Sequence, residues 1–144
     1  MKKILICAAM LFTLSASATP TSIDQAVIKR FKELFPEAQS TRWYEGDTYY
    51  QVSFEEKGIL CKVFYGLDGK ITSTYRYYDE KKLCPFIASK IKEKYSNKSV
   101  KGITEIQDDS GLSYQLILQD EKNWFIVNCD EAGNMTVKNK FKKA

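Results

Sequence analysis

The side chains that could do chemistry in this sequence are cysteines and carboxylates, because its 144 residues contain no histidine. Histidine is the commonest general base and a common metal ligand, so its absence excludes His-containing triads and the usual zinc sites. Two acid pairs, Asp108-Asp109 and Glu55-Glu56, fall in predicted turns, where carboxylates are ordinarily solvated. These residue types favour a protein that is not an enzyme and that uses no metal or cofactor.

The cysteines could form a disulfide or simply fill the core. Cys7 lies in an apolar leader, which leaves Cys61, Cys84 and Cys129, and no two of these form a C-x-x-C redox pair. In an oxidising compartment we expect one disulfide between two of the three, and either Cys61 or Cys129 could reach Cys84. The alternative is that all three are small buried side chains.

The first 18 residues have the features of a signal peptide. Met1-Lys2-Lys3 is basic, residues 4–14 are almost entirely apolar, and Ala16-Ser17-Ala18 is an A-x-A cleavage site. The apolar run is shorter than the ~20 residues that span a bilayer. We therefore predict cleavage after Ala18 and a periplasmic or secreted protein without a membrane span. Without Lys2 and Lys3, 22 − 2 = 20 basic residues face 18 acidic ones, too weak an excess to indicate nucleic acid as a partner.

The rest of the chain contains an internal repeat, in which one sequence pattern recurs at an offset of 64 residues. Identical residues at this offset are Tyr50 and Tyr114, Gln51 and Gln115, Val63 and Val127, Gly69 and Gly133, and Thr72 and Thr136. Each half begins with apolar residues at helical spacing and continues with four strand-like runs separated by turn residues. We predict an α+β fold of two tandem helix-plus-four-stranded antiparallel meander repeats, residues 19–80 and 81–144. They form one sheet with the helices on one face.

Local signals indicate where the helices begin and end. Ser22 followed by Gln25 is typical of a capping box at the start of the first helix. Phe35-Pro36 ends that helix, because proline cannot continue its hydrogen bonds. Pro85 suits the first turn of the second helix.

Strict alternation along the strands divides their residues between two faces of the sheet. The face beneath the helices is predicted to hold Tyr50, Val52, Phe54, Cys61, Val63, Ile71, Tyr114, Leu116, Leu118, Phe125, Val127, Cys129 and Met135. The opposite face is predicted to hold Tyr49, Gln51, Leu60, Phe64, Arg76, Gln115, Trp124 and Ile126, together with Thr72, Thr74, Thr136, Lys138 and Lys140. Aromatic side chains mixed with amide and basic ones are typical of a protein-binding surface. The alternatives are a homodimer interface and an exposed sheet with scattered apolar residues.

Some of these residues resemble a known family. The run from Phe35-Pro36-Glu37-Ala38 through Trp43 to Tyr49-Tyr50-Gln51-Val52-Ser53-Phe54, followed by Asp68-Gly69, resembles the PepSY-like, β-lactamase-inhibitor-like proteins of the bacterial envelope. In the second half, Ser99-Val100 replaces Phe-Pro and Gln107 replaces the tryptophan. The resemblance implies tandem helix-plus-four-strand units whose open sheet face binds another protein.

Together these features predict a non-enzymatic protein-binding module of the cell envelope. The resemblance extends this expectation to an inhibitor of an envelope hydrolase or protease. The alternative function is a small-ligand carrier, with an apolar space between sheet and helices or across the open face.

Overall fold

The computed structural model describes residues 22–144, which form two helices and eight strands. The predicted signal peptide and its cleavage after Ala18 lie outside these residues. The first half contains α1 (Gln25–Leu34), β1 (Gln39–Glu45), β2 (Tyr49–Glu56), β3 (Ile59–Gly66) and β4 (Ile71–Tyr78). After a 3-10 turn (Glu80–Lys82), the second half contains α2 (Pro85–Lys94), β5 (Ser99–Asp108), β6 (Gly111–Gln119), β7 (Asn123–Asp130) and β8 (Met135–Lys142).

All eight strands belong to one sheet, in which each strand pairs antiparallel with the next along the chain. The two halves are joined where β4 pairs with β5, with Tyr77 opposite Thr104. Each helix packs against its own half of the sheet, and both lie on the same face. The predicted fold class, two helix-plus-meander units sharing one sheet, is confirmed.

Aromatic side chains build the first core. The ring centroid of Phe31 on α1 lies 5.1 Å from that of Phe54 and 5.3 Å from those of Trp43 and Phe35. Such tilted and edge-to-face pairs add to the free energy gained by burying the rings. Phe35, Trp43 and Phe54, which carry part of the family resemblance, therefore belong to or pack against the core, and this part of the motif reports the fold.

The start of α1 differs from the prediction. Asp24 is the N-cap, and its carboxylate accepts a hydrogen bond from the backbone nitrogen of Ala26 at 2.8 Å. The capping box from Ser22 to Gln25 is therefore wrong by two residues, because aspartate satisfies the free N–H groups of the first turn equally well.

Aliphatic side chains dominate the second core, where Ile87 and Ile91 of α2 pack on Leu116, Leu118 and Val127. A polar cluster lies between the two cores. Tyr78 contacts both of them, and its hydroxyl donates to Glu105 at 2.5 Å. Arg76 donates to the other oxygen of the same carboxylate at 3.2 Å. This cluster connects β4 to β5 and so helps to hold the halves together.

A β-bulge at the start of β4 overturns part of the predicted face assignment. Tyr65 pairs with Ile71 and Phe64 with Ser73, which leaves Thr72 as an extra residue on β4. One extra residue moves every later side chain of a strand to the other face. The prediction that Arg76 lies on the open face is therefore wrong, as it pairs across the sheet with Cys61 beneath the helices. Thr74 moves with it, and Ile71 is 40% exposed rather than a core residue.

A second register shift, between Ile126 and Val127, has the same effect on β8. Lys140 pairs with the core residue Phe125, and its ammonium lies 5.5 Å from the centroid of that ring. The prediction that Lys140 lies on the open face is wrong for this reason.

Tyr65 provides a direct test of the first core. Within residues 22–144, its hydroxyl is the one buried side-chain polar atom without a hydrogen-bond partner, and burial raises its pKa to about 12. Because an unsatisfied buried group costs about 1–3 kcal/mol, Tyr65→Phe should increase the free energy of unfolding by about 1 kcal/mol in urea denaturation. The matched change Tyr78→Phe removes a hydroxyl that is bonded to Glu105 and should decrease it. A loss of stability in Tyr65→Phe would contradict the conclusion that the Tyr65 hydroxyl is buried without a hydrogen-bond partner.

Candidate functional site

The face of the sheet that points away from the helices has no layer packed on it within residues 22–144, and we call it the open face. Alternate residues of every strand lie on it, and the register aligns them in rows that cross the strands. One row holds Tyr44, Gln51, Phe64, Ser73 and Asp108 on β1 to β5. The next row holds Arg42, Ser53, Lys62, Tyr75, Ile106, Ser113 and Asp130 on β1 to β7.

The first half of the open face carries a group of five aromatic side chains, Tyr44, Tyr49, Phe64, Tyr75 and Tyr77, which we call the aromatic cluster. Successive ring centroids are 6.0 Å apart from Tyr44 to Tyr49, 5.8 Å to Phe64 and 5.3 Å to Tyr75. Tyr44 is 55% exposed and the other four are half-buried. Burial, together with neighbouring Tyr75, raises the pKa of Tyr77.

The cluster is positioned by strands and not by loops. Tyr49 alternates with the core residue Tyr50 on β2, and Phe64 alternates with the core residue Val63 on β3. A partner would therefore meet rings that are already held in place, and it would not lose affinity to ordering a loop.

The structure does not gather the predicted face residues into one patch. Tyr49, Gln51 and Phe64 lie in or beside the aromatic cluster. Leu60 and Gln115 share a row in which Tyr77 and Thr104 lie between them.

Trp124 and Ile126 lie on the open face but near its opposite end. Trp124 pairs with Gln119, which pairs with Ser99 at the start of β5, whereas Phe64 is level with Asp108 at the end of β5. The ammonium of Lys143 lies 5.7 Å from the centroid of the Trp124 ring. The predicted set therefore covers two separate regions, and the aromatic cluster is the denser one.

Sequence reasoning missed three members of the aromatic cluster and the lysine beside them. Tyr44 could have been found, because it follows the core residue Trp43 on the same strand. Tyr75, Tyr77 and their neighbour Lys62 face outwards together. Strict alternation placed Thr74 and Arg76 outwards instead, because it did not include the bulge at Thr72.

The part of the second half of the open face that lies away from Trp124 is polar. One row there holds Thr104, Gln115, Asn128 and Thr136 on four adjacent strands. Around it lies a shallow cavity of about 390 Å³ whose lining includes Ile106, Ser113, Gln115, Asn128, Asp130 and Lys138. This region can offer hydrogen bonds, but it lacks the clustered rings of the first half.

Two of the three cysteines are buried, Cys61 and Cys129, whereas Cys84 is exposed, so the alternative that all three are buried is wrong for Cys84. Cys61, Cys84 and Cys129 are free thiols, so the structure contains none of the disulfide pairings that the sequence left open. Burial raises the pKa of Cys61, and it raises that of Cys129 to about 11, so both thiols are protonated at neutral pH. Within the described residues, no group of three or more carboxylates and thiols is placed to hold a metal ion.

Comparison with known proteins identifies the fold. A BLIP-like protein from Bacteroides fragilis superposes with a TM-score of 0.67 at 17% identity, covering 83% of this chain and 85% of that one. The fold is BLIP-like. A DUF2874 family protein from Bacteroides uniformis is similar, with a TM-score of 0.66 at 14% identity over 83% of this chain and 88% of that one.

A candidate periplasmic protein from Bacteroides eggerthii has the same TM-score of 0.66 at 14% identity, again over 83% of this chain and 88% of that one. At these identities the likeness is one of fold. No protein-family model matches the sequence, and no curated protein does. In residues 22–144, neither ten-residue helix is long and apolar enough to cross a membrane.

Proposed function

We propose that this chain is exported, cleaved after Ala18, and binds another protein of the cell envelope through the aromatic cluster without catalysing a reaction. The observation that carries the proposal is the row of ring contacts between Tyr44, Tyr49, Phe64 and Tyr75 on an uncovered sheet face. Aromatic side chains held on a rigid framework are the usual anchors of protein interfaces. The BLIP-like fold and a candidate periplasmic protein of the same fold support this proposal.

Inhibition of an envelope hydrolase or protease is the finer form of this proposal. It draws on likeness of fold, and fold alone does not determine function. The raised pKa values of the buried Cys61 and Cys129 thiols support a role that is not enzymatic.

The binding face can be tested by paired substitutions on opposite sides of the molecule. Phe64→Ala with Tyr49→Ala removes two adjacent rings of the cluster, whereas Phe86→Ala removes a ring that is 50% exposed on α2. In quantitative pull-downs from envelope extract, we expect a partner retained by the parent protein and by Phe86→Ala to be recovered roughly tenfold less by the double variant. Circular dichroism should show that all three proteins are folded.

A partner that is retained by the double variant and lost by Phe86→Ala would place binding on the helices and contradict the proposal. The polar cavity of about 390 Å³ on the second half favours a small-ligand carrier as the second candidate. Native mass spectrometry would support the carrier function instead if it detected a small molecule that copurifies with the parent protein but not with Gln115→Ala.

A further inference from the structure

Lys62 lies among the rings of the aromatic cluster without an anionic partner. Across the register it lies between Ser53 and Tyr75, and its ammonium is 5.6 Å from the centroid of the Tyr77 ring. The side chain is half-buried, and no ion pair within residues 22–144 includes it. The first half of the open face therefore has a positive charge near its centre that the chain does not neutralise.

Arg42 adds a second unpaired cation to the same row. It lies on β1 opposite Ser53, which in turn lies opposite Lys62, so about 10 Å separate the two positions at the usual strand spacing. Arg42 is exposed and belongs to no ion pair within the described residues. The one acid nearby on this face is Glu55 in the next row, and it forms no ion pair with either cation.

A second copy of this chain would not neutralise Lys62 well. From the described residues it would bring one unpaired acid, Glu55, but also two more cations, Arg42 and Lys62, so positive charge would remain in excess. The other acids on the open face of residues 22–144 are Asp108 and Asp130, and both are engaged in their own turns. Asp108 accepts hydrogen bonds from the backbone nitrogen and hydroxyl of Ser110 at 2.8 and 2.6 Å. Asp130 accepts two from Asn134, each at 2.8 Å. The charge on the cluster is therefore complementary to a different protein.

A partner that covers the cluster must also satisfy Lys62. Removing a charge from water without a counter-charge is strongly unfavourable and would cancel much of the gain from burying the rings. A partner carboxylate between Tyr75 and Tyr77 would pair with the ammonium, while apolar side chains beside it would cover the rings. We propose that the aromatic cluster binds an apolar segment of another protein that carries an aspartate or glutamate, with its carboxylate on Lys62. This inference rests on the proposed function and names the chemistry of its partner.

The test uses a phage-displayed library of random peptides selected on the purified protein. We expect the enriched peptides to contain Asp or Glu beside aromatic or aliphatic residues. Lys62→Glu should reverse the preference, so that the same selection enriches Lys or Arg. The matched change Lys29→Glu, at an exposed position of α1, alters the net charge equally and should leave the selection unchanged.

One selected peptide then gives the affinity. Lys62→Met, which keeps the length of the side chain without its charge, should weaken binding by roughly tenfold or more. Changing the peptide's Asp to Asn, or its Glu to Gln, should weaken binding to the parent protein by a similar factor. The same change should have little effect on binding to Lys62→Met, since the two groups interact with each other.

The outcomes separate this inference from the proposed function. Peptides that bind the open face with neutral residues, or that bind Lys62→Met as tightly as the parent, would contradict the pairing of a carboxylate with Lys62. They would leave the proposed binding face unchanged. Binding that perturbs only helix resonances in NMR spectra, or no enrichment at all, would contradict both. A homodimer that Phe64→Ala dissociates in sedimentation equilibrium would make a second copy the occupant and overturn the inference.

Discussion

Replacing Phe54 with alanine should reduce the free energy of unfolding by about 3–5 kcal/mol, because it removes a fully buried ring of the first core. Phe54 is 1% exposed, and its ring centroid lies 5.1 Å from that of Phe31 and 5.0 Å from that of Phe35. These rings attach the C-terminal end of α1 to the sheet, so the cavity would open beneath that end of the helix. Urea denaturation followed by far-ultraviolet circular dichroism measures the loss.

Phe64→Ala is the matched control, with the same change of side chain on the opposite face of the sheet. Phe64 is half-buried and its ring is tilted against those of Tyr49 and Tyr75, so we expect a loss of about 1 kcal/mol. Equal losses in the two variants would mean that the open face contributes as much to folding as the core does. The substitutions proposed for binding would then report on folding instead.

The fold could be predicted because its signals are local and repeated. Alternation in Tyr50, Val52 and Phe54 reports a half-buried strand whatever lies across the sheet, and Asp68-Gly69 marks a turn by itself. The repeat at an offset of 64 residues then doubles each signal. The position at which an element begins was less accurate, since the N-cap of α1 is Asp24 and the sequence indicated Ser22.

The candidate site could be predicted only in part, because the face of the sheet on which a side chain lies depends on the register of its strand. Nothing in the residue types around Thr72 indicates that β4 gains one residue against β3. That single residue moved Arg76 beneath the helices and brought Tyr75 and Tyr77 beside Lys62. The residue type of Tyr75 and Tyr77 did not indicate their face, because the ring and hydroxyl of tyrosine suit either face of a sheet.

Leu116→Ala should reduce the free energy of unfolding by about 2–5 kcal/mol, and it should destabilise both halves of the sheet. Leu116 is fully buried beneath α2, whereas its neighbour Ile117 is 41% exposed on the open face. Ile117→Ala is therefore the control, and we expect it to cost less than about 1 kcal/mol. The measurement is again urea denaturation, with fluorescence as a local reporter.

The chain's two tryptophans allow each half to be followed separately. Trp43 packs on Phe31 in the first core, whereas Trp124 lies on β7 in the second half. In a Trp124→Phe background the fluorescence of Trp43 reports the first half alone. The two halves should unfold together, because β4 pairs with β5 and Tyr78 contacts both cores. Leu116→Ala should therefore lower the urea midpoint of unfolding reported by Trp43 as much as the midpoint reported by Trp124. A Trp43 midpoint that does not move would show that the halves unfold independently, and the Tyr78–Glu105 contact would then be too weak to couple them.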